Sequence, residues 1–298
     1  MHDLLAALLA SLTLMVPAGP APQVDGRFAI GNLAIRLHCR GVGEPTVVVD
    51  AGMGTAPVED AGWQRIAERI APVARICLYD RAGLGSSDRA PERIRTSLDA
   101  ANDLHAVLQE AGVRGPFLLI GHSIGGLHAQ VFASRFPNDT AGLVLVSSTH
   151  PDQMTSWLSM LPAAAPGEEK PLTDTRDFLS GMIEEPNRNE ERLDWRTSAA
   201  QARLLKTLGE KPVIVATHSP RFRMVPGLSE PLAIRLEEAS QRMQKQFLAL
   251  SSNAHQNIAA TAGHGLPHEA PQFVVDNILQ GVAAVRAQSP AGRAQPTR

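Results

Sequence analysis

The chain has 298 residues, enough to bury a large α/β core as one domain or two small ones, and carries a formal net charge of −2. Charges of both signs are interspersed, and no basic stripe occurs that would form a nucleic-acid footprint. The apolar fraction is ordinary for a globular protein, and the sequence contains no internal repeat.

Met1-His2-Asp3 precedes an apolar run from Leu4 to Val16 and then a Pro/Ala segment. The run has the length of a signal-peptide core and is short for a bilayer span. Residues 1–22 therefore read as an export signal, with no stable membrane span left after processing, although no Lys or Arg precedes the run. The alternative is an N-terminal extension of a cytoplasmic protein. The two cysteines, Cys39 and Cys77, allow one disulfide in an exported protein; two buried thiols are the other reading.

Gly26 to Ile30 and Leu33 to Arg40, split by Gly31-Asn32, read as a hairpin. Thr46 to Val49 is a β-branched run suited to a strand buried on both faces, and Asp50-Ala51-Gly52-Met53-Gly54 follows as a glycine-rich turn. Trp63 to Ile70 has helical spacing, and Ala74 to Tyr79 is a strand that runs into a polar loop through Asp88. Ser97 to Ala111 is a helix stopped by Gly112. Pro116 to Ile120 is a strand, Leu127 to Phe136 a helix, and Ala141 to Val146 the next strand. This alternation implies a parallel sheet with helices on both faces. Residues 147–209 then lose the strand pattern and carry prolines, methionines and short charged helical pieces, which reads as a lid. The sheet resumes at Pro212 to Ala216. A helix at Pro231 to Leu250, a strand at His255 to Ala260, a Gly263-His264-Gly265 turn and a helix at Pro271 to Val285 follow. Residues 288–298 form a polar tail.

Between strand and helix stands Gly121-His122-Ser123-Ile124-Gly125-Gly126. G-x-S-x-G in that context is a nucleophile elbow, a sharp turn with the serine at its apex. Glycines two residues before and two after Ser123 suit the close approach of strand and helix. No Cys/His/carboxylate cluster has metal-ligand spacing and no dinucleotide fingerprint is present, so neither metal nor nucleotide cofactor is expected.

The elbow, the parallel sheet and the Gly-His turn before the last helix together resemble the α/β-hydrolase family over roughly residues 26–287. The segments that carry the likeness are Thr46 to Gly54, Tyr79 to Asp88, Gly121 to Gly126 and Ala262-Gly263-His264. The phrases Leu143 to Gln153 and Leu193 to Gln201 look like a bacterial, often exported, subgroup of uncharacterised serine hydrolases. The resemblance implies an eight-stranded, mostly parallel sheet in a domain at 23–287, with a helical lid at about 147–209 inserted after the sixth strand. It also implies that Cys39 and Cys77 lie on neighbouring strands, where a disulfide fits.

In such a fold Ser123 is the nucleophile and His264, late in the chain, the base. His218 and His268 are the nearest rivals and read as rim or surface histidines. The oxyanion donors are the backbone N–H groups of Ile124 and Met53. The segment at Asp80-Arg81 braces the loops beside the site. The acid departs from the family pattern: the loop after the seventh strand, Thr217 to Arg223, has no carboxylate, and Ser147 stands at the end of the sixth strand where related sequences have Asp. Asp152 is the first candidate, Glu184, Glu185 and Asp194 are lid alternatives, and a serine or backbone carbonyl holding His264 is a further option. The expected activity is carboxylesterase-like cleavage of a small ester or lactone. Amidase, C–C hydrolase or cofactor-free haloperoxidase chemistry, or a binding scaffold that has lost turnover, are the alternatives.

Overall fold

The computed structural model describes residues 24–288. The expected export signal at 1–22 and residues 289–298 of the tail lie outside the described residues. Strands β1 (Val24–Ile30) and β2 (Leu33–Arg40) form the antiparallel hairpin, with Gly31 at φ +62° in its turn. They are followed by β3 (Thr46–Asp50), α1 (Ala61–Ile70), β4 (Ile76–Tyr79), α2 (Ser97–Glu110), β5 (Phe117–His122), α3 (Ile124–Arg135) and β6 (Thr140–Val146). Three helices, α4 (Gln153–Met160), α5 (Lys170–Glu184) and α6 (Trp195–Ala202), separate β6 from β7 (Val213–Thr217). The chain closes with α7 (Glu230–Gln246), β8 (Ala254–Ile258), the short α8 (Leu266–Glu269) and α9 (Pro271–Gln288).

The eight strands order as β1-β2-β4-β3-β5-β6-β7-β8, and only β2 runs against its neighbours. Successive side chains of a strand point to opposite faces, so the buried runs feed two cores. Leu118 and Ile120 of β5 join Trp63, Ile66, Val274 and Ile278 on the α1/α9 face. Phe117 and Leu119 join Leu104, Leu127 and Phe132 on the α2/α3 face. Each such large side chain contributes about 1.5–3 kcal/mol by leaving water.

Helix starts are fixed locally. Asp60 Oδ1 accepts from the Gly62 and Trp63 N–H groups at the head of α1. Thr96 and Asp99 form a reciprocal capping box at the head of α2. In the β2–β4 ladder Cys39 stands directly opposite Cys77, and the two are joined by a disulfide. The elbow strand is longer than its apolar run. Beyond Ile120, Gly121 and His122 continue the ladder against Leu145 and Val146 of β6, so the strand runs up to the residue before Ser123.

Because β4 and β5 lie on opposite sides of β3, the connections diverge at this point and leave a crevice at the carboxyl ends of the strands. Met53 follows β3, Ser123 follows β5, Ser147 follows β6, His218 follows β7, and His264 follows β8. All five therefore come to one edge of the sheet.

Candidate active site

Ser123 has φ 53° and ψ −124°, a left-handed conformation costly for a residue with a Cβ. The surroundings hold it there. Its N–H reaches Val146 O at 3.3 Å, and its carbonyl accepts from Thr149 N at 2.9 Å and Gly126 N at 3.0 Å. The flanking glycines are required by contact: a Cβ on Gly121 would fall 2.4 Å from Gly126 Cα, and one on Gly125 would fall 2.1 Å from Asp50 O. The side chain thus stands at the head of α3, whose first N–H groups have no partner within the helix. Ile124 supplies the first of them. The turn after β3 lies against the serine, since a Cβ on Gly52 would sit 3.5 Å from Ser123 Cβ. That contact brings Met53 beside the elbow.

His264 Nε2 lies 3.0 Å from Ser123 Oγ. The Glu269 carboxylate fixes its turn from both sides, accepting from Gly263 N at 2.6 Å and Gly265 N at 3.2 Å. His122, on β5 beside the serine, contacts the His264 carbonyl through Nε2 at 2.9 Å; that nitrogen must carry the proton, because a carbonyl only accepts. Burial pushes the His122 imidazole down to about 4. Burial, with His122 and His218 nearby, pushes His264 down to about 3, so both rings are neutral at neutral pH.

Among the described residues no carboxylate meets the other nitrogen of His264. Nδ1 lies 2.8 Å from Ser147 Oγ, and Ser147 Oγ lies 2.7 Å from His218 Nδ1. His218 Nε2 in turn lies 2.9 Å from Glu237 Oε1, and Gln241 Nε2 donates to the same oxygen at 2.8 Å. Ser147, His218 and Glu237 are all buried. The expectation that His218 is a rim or surface residue is corrected: the polar end of β7 turns it inward between Ser147 and α7. His268 is exposed and pairs with Asp60 at 3.1 Å.

Asp152 is likewise corrected as the acid. It sits half exposed ahead of α4 and forms an ion pair with Arg203 at 2.6 Å, while the Nδ1 it was expected to hold faces Ser147. Glu184 pairs with Arg196, Glu185 with Arg188, and Asp194 caps α6 by accepting from Thr197 N. None of these four carboxylates bonds to His264. Sequence reasoning missed Glu237, although a signal was present. Along α7, Leu232, Ala233, Leu236, Ser240 and Met243 mark the buried face, and Glu237 falls on that stripe.

On the other flank, Arg81 forms a buried clamp. Nη1 donates to Asp50 Oδ1 and Ala51 O, and Nη2 to Gly52 O, each at 2.7 Å. Nε and Nη2 grip Glu191, from the segment before α6, at 2.7 and 2.6 Å. Burial alone would raise the Glu191 carboxyl; the Arg81 guanidinium overrides it and holds the group down to about 2. Asp80 accepts from Val58 N and Ser86 N, at 3.1 and 3.2 Å, and steadies the neighbouring loops.

Ser123 and His264 open into a cavity of about 560 Å³ walled by Met154, Trp157, Phe178, Leu179 and Met224. Its wall comes largely from α4, α5 and the loop after β7. A second hollow of about 430 Å³ lies past Met53 and shares Phe178. Among the described residues no group of three His, Cys, Asp or Glu is placed to hold a metal ion, and no helix is long and apolar enough to cross a membrane.

Residues 45–268 match a protein family described as the alpha/beta hydrolase fold. The chain belongs to the α/β-hydrolase family. A Bacillus subtilis relative, the uncharacterized protein YqjL, is 26% identical over 238 residues, spanning 80% of this chain and 83% of that protein. An uncharacterized vacuolar membrane protein of Saccharomyces cerevisiae is 30% identical over 107 residues; the match spans 36% of this chain and only 17% of the yeast protein. Among solved structures, a thermophilic esterase from Thermogutta terrifontis superposes with a TM-score of 0.57 at 20% identity, over 89% of this chain and 99% of the esterase. As an α/β hydrolase, the protein has the eight-stranded, mostly parallel sheet of that fold, with helices around it.

Proposed function

We propose that this α/β hydrolase is a serine hydrolase that cleaves a carboxylic ester or lactone with an apolar acyl part through an acyl-enzyme on Ser123. The observation that carries the reading is the 3.0 Å contact between Ser123 Oγ and a neutral His264 Nε2 at a strained elbow. Ser123 Oγ attacks the carbonyl carbon as its proton passes to His264 Nε2. The oxyanion that forms accepts from the N–H groups of Ile124 and Met53. The imidazolium returns the proton to the leaving alcohol, and water then attacks the acyl-enzyme by the same base to release the acid. The apolar cavity walled by Trp157, Leu179 and Met224 supports an apolar substrate, and residues 147–209 serve as its lid. A serine at the elbow argues against the carboxylate-nucleophile chemistry that this fold also hosts.

A fluorophosphonate probe labels the protein and S123A abolishes the labelling; equal labelling of the variant removes Ser123 as nucleophile. A panel of p-nitrophenyl esters, lactones and anilides then identifies the leaving group. That no carboxylate among the described residues bonds to His264 favours a second reading, a binding scaffold without turnover. Stoichiometric labelling with no ester hydrolysis selects it. The Cys39–Cys77 disulfide supports export to an oxidising compartment. Cell fractionation in the native host tests this, with a cytoplasmic protein as the contrary result.

A further inference from the structure

We infer that Glu237 is the missing acid of this site and acts on His264 at a distance, through His218 and Ser147 as a directional relay of hydrogen bonds. The inference rests on the serine-hydrolase reading. It is carried by four consecutive contacts: Ser123 Oγ to His264 Nε2 at 3.0 Å, His264 Nδ1 to Ser147 Oγ at 2.8 Å, Ser147 Oγ to His218 Nδ1 at 2.7 Å, and His218 Nε2 to Glu237 Oε1 at 2.9 Å.

The proton count of this chain leaves little freedom. An ionised Glu237 accepts and cannot donate, so His218 Nε2 carries the proton. In the relay His218 carries this one proton, so its Nδ1 is bare and accepts from Ser147. A serine hydroxyl has one proton to give, so Ser147 Oγ is left to accept from His264 Nδ1–H. His264 Nε2 is therefore bare toward Ser123, the tautomer a general base needs. With one proton on each ring, reversing any one bond sets two acceptors or two donors against each other at under 3.0 Å inside the protein. The charge on Glu237 thus selects the reactive tautomer of a ring it does not touch.

The relay also turns the His264 ring to a fixed angle and polarises each bond toward the carboxylate when imidazolium forms. No proton crosses from His264 to Glu237. The last polar atom of the carboxylate, Oε2, is buried with no hydrogen-bond partner among the described protein groups, so the carboxylate bonds through Oε1, to His218 and Gln241. Ser147, His218 and Glu237 are positioning residues, each acting through the next.

Replacing Glu237 by Gln tests the direction of the relay. The amide can donate to His218 Nε2 and let the whole chain flip, which leaves Nε2–H of His264 facing Ser123. E237Q is expected to lower kcat about 100-fold, less than the ~10⁴-fold that follows when the directly bonded acid of a serine triad loses its charge. KM should change little, because Glu237 does not line the cavity. Adding S147D to E237Q puts a carboxylate next to His264 Nδ1, and aspartate tolerates the φ of 39° at that position. The double variant should recover kcat to within about tenfold of wild type, which a purely structural role for Glu237 does not predict.

Histidine ¹⁵N NMR on the resting wild-type protein needs no variant to fold. It should show His264 as the Nδ1–H tautomer and His218 as Nε2–H. The opposite tautomer at either ring overturns the relay. So does an E237Q kcat within threefold of wild type, or a double variant that melts like wild type yet regains nothing. Failure of the serine-hydrolase reading would instead appear as S123A labelling equal to wild type, with the tautomers unaffected.

Discussion

The site stands between two buried polar clusters that solve different problems. On the β3–β4 side, Arg81 binds two carboxylates and two backbone carbonyls, and three of its nitrogens donate. On the β6–β7 side, two neutral-capable imidazoles and a hydroxyl alternate as donor and acceptor up to one carboxylate. The first cluster is charge-saturated and holds backbone in place, including the turn that carries Met53. The second holds protons in place. A guanidinium suits the first because it always donates; imidazole and hydroxyl suit the second because each can do either, so one distant charge decides for all of them.

Removing the cation gives the largest effect on stability. R81A leaves Asp50 and Glu191 buried without their partner and should cost about 3–5 kcal/mol in urea unfolding. A loss under 1 kcal/mol would break the contrast between a structural and a proton-holding cluster. S147A cuts the relay in its middle. It should reduce kcat about 100-fold while costing only about 1–3 kcal/mol of stability from the unpaired ring nitrogens. A stability loss as large as that of R81A would merge the two clusters into one scaffold.

The pH profile sharpens the second cluster. His264 is held down to about 3 and His122 to about 4. The base is therefore neutral across mild acid, and the acid limb of kcat/KM should fall below pH 5 rather than near 6.5. A depressed histidine binds its proton more tightly when unfolded. Stability from these two rings is thus complete above about 6.5 and is lost as pH falls toward 3. A limb near 6.5 would mean that the substrate-free ring is better supported than its burial allows.

The smallest effect belongs to Asp152. D152N should leave kcat within twofold of wild type and stability within about 0.5 kcal/mol, since the side chain is half exposed and paired only at the surface. A sharp drop in turnover would return the lid carboxylate to the site.

Much of this molecule was legible in its residues. The β-branched run Thr46 to Val49, the elbow Gly121 to Gly126 and the turn Gly263-His264-Gly265 are local patterns, and each folds as its own spacing requires. That Cys39 and Cys77 lie on neighbouring strands followed from the family resemblance, and the β2–β4 register sets them directly opposite. The acid was not legible, because nearness along the chain to the sheet edge does not fix which carboxylate packs behind it. Asp152 is close to β6 in sequence, yet it faces Arg203; Glu237 lies 90 residues beyond Ser147, on α7, and is linked to it only through His218. Periodicity placed Glu237 on the buried face of α7 but could not say which buried partner it would meet.

Ser123 as the apex of a strained turn was thus determined by sequence alone, because strain, small neighbours and strand-to-helix order act within a few residues. What tertiary structure decided is which groups face His264 Nδ1. That depends on β6, β7 and α7 arriving together, and hydrogen-bond complementarity among buried groups is settled only once the backbone has brought them within 3 Å.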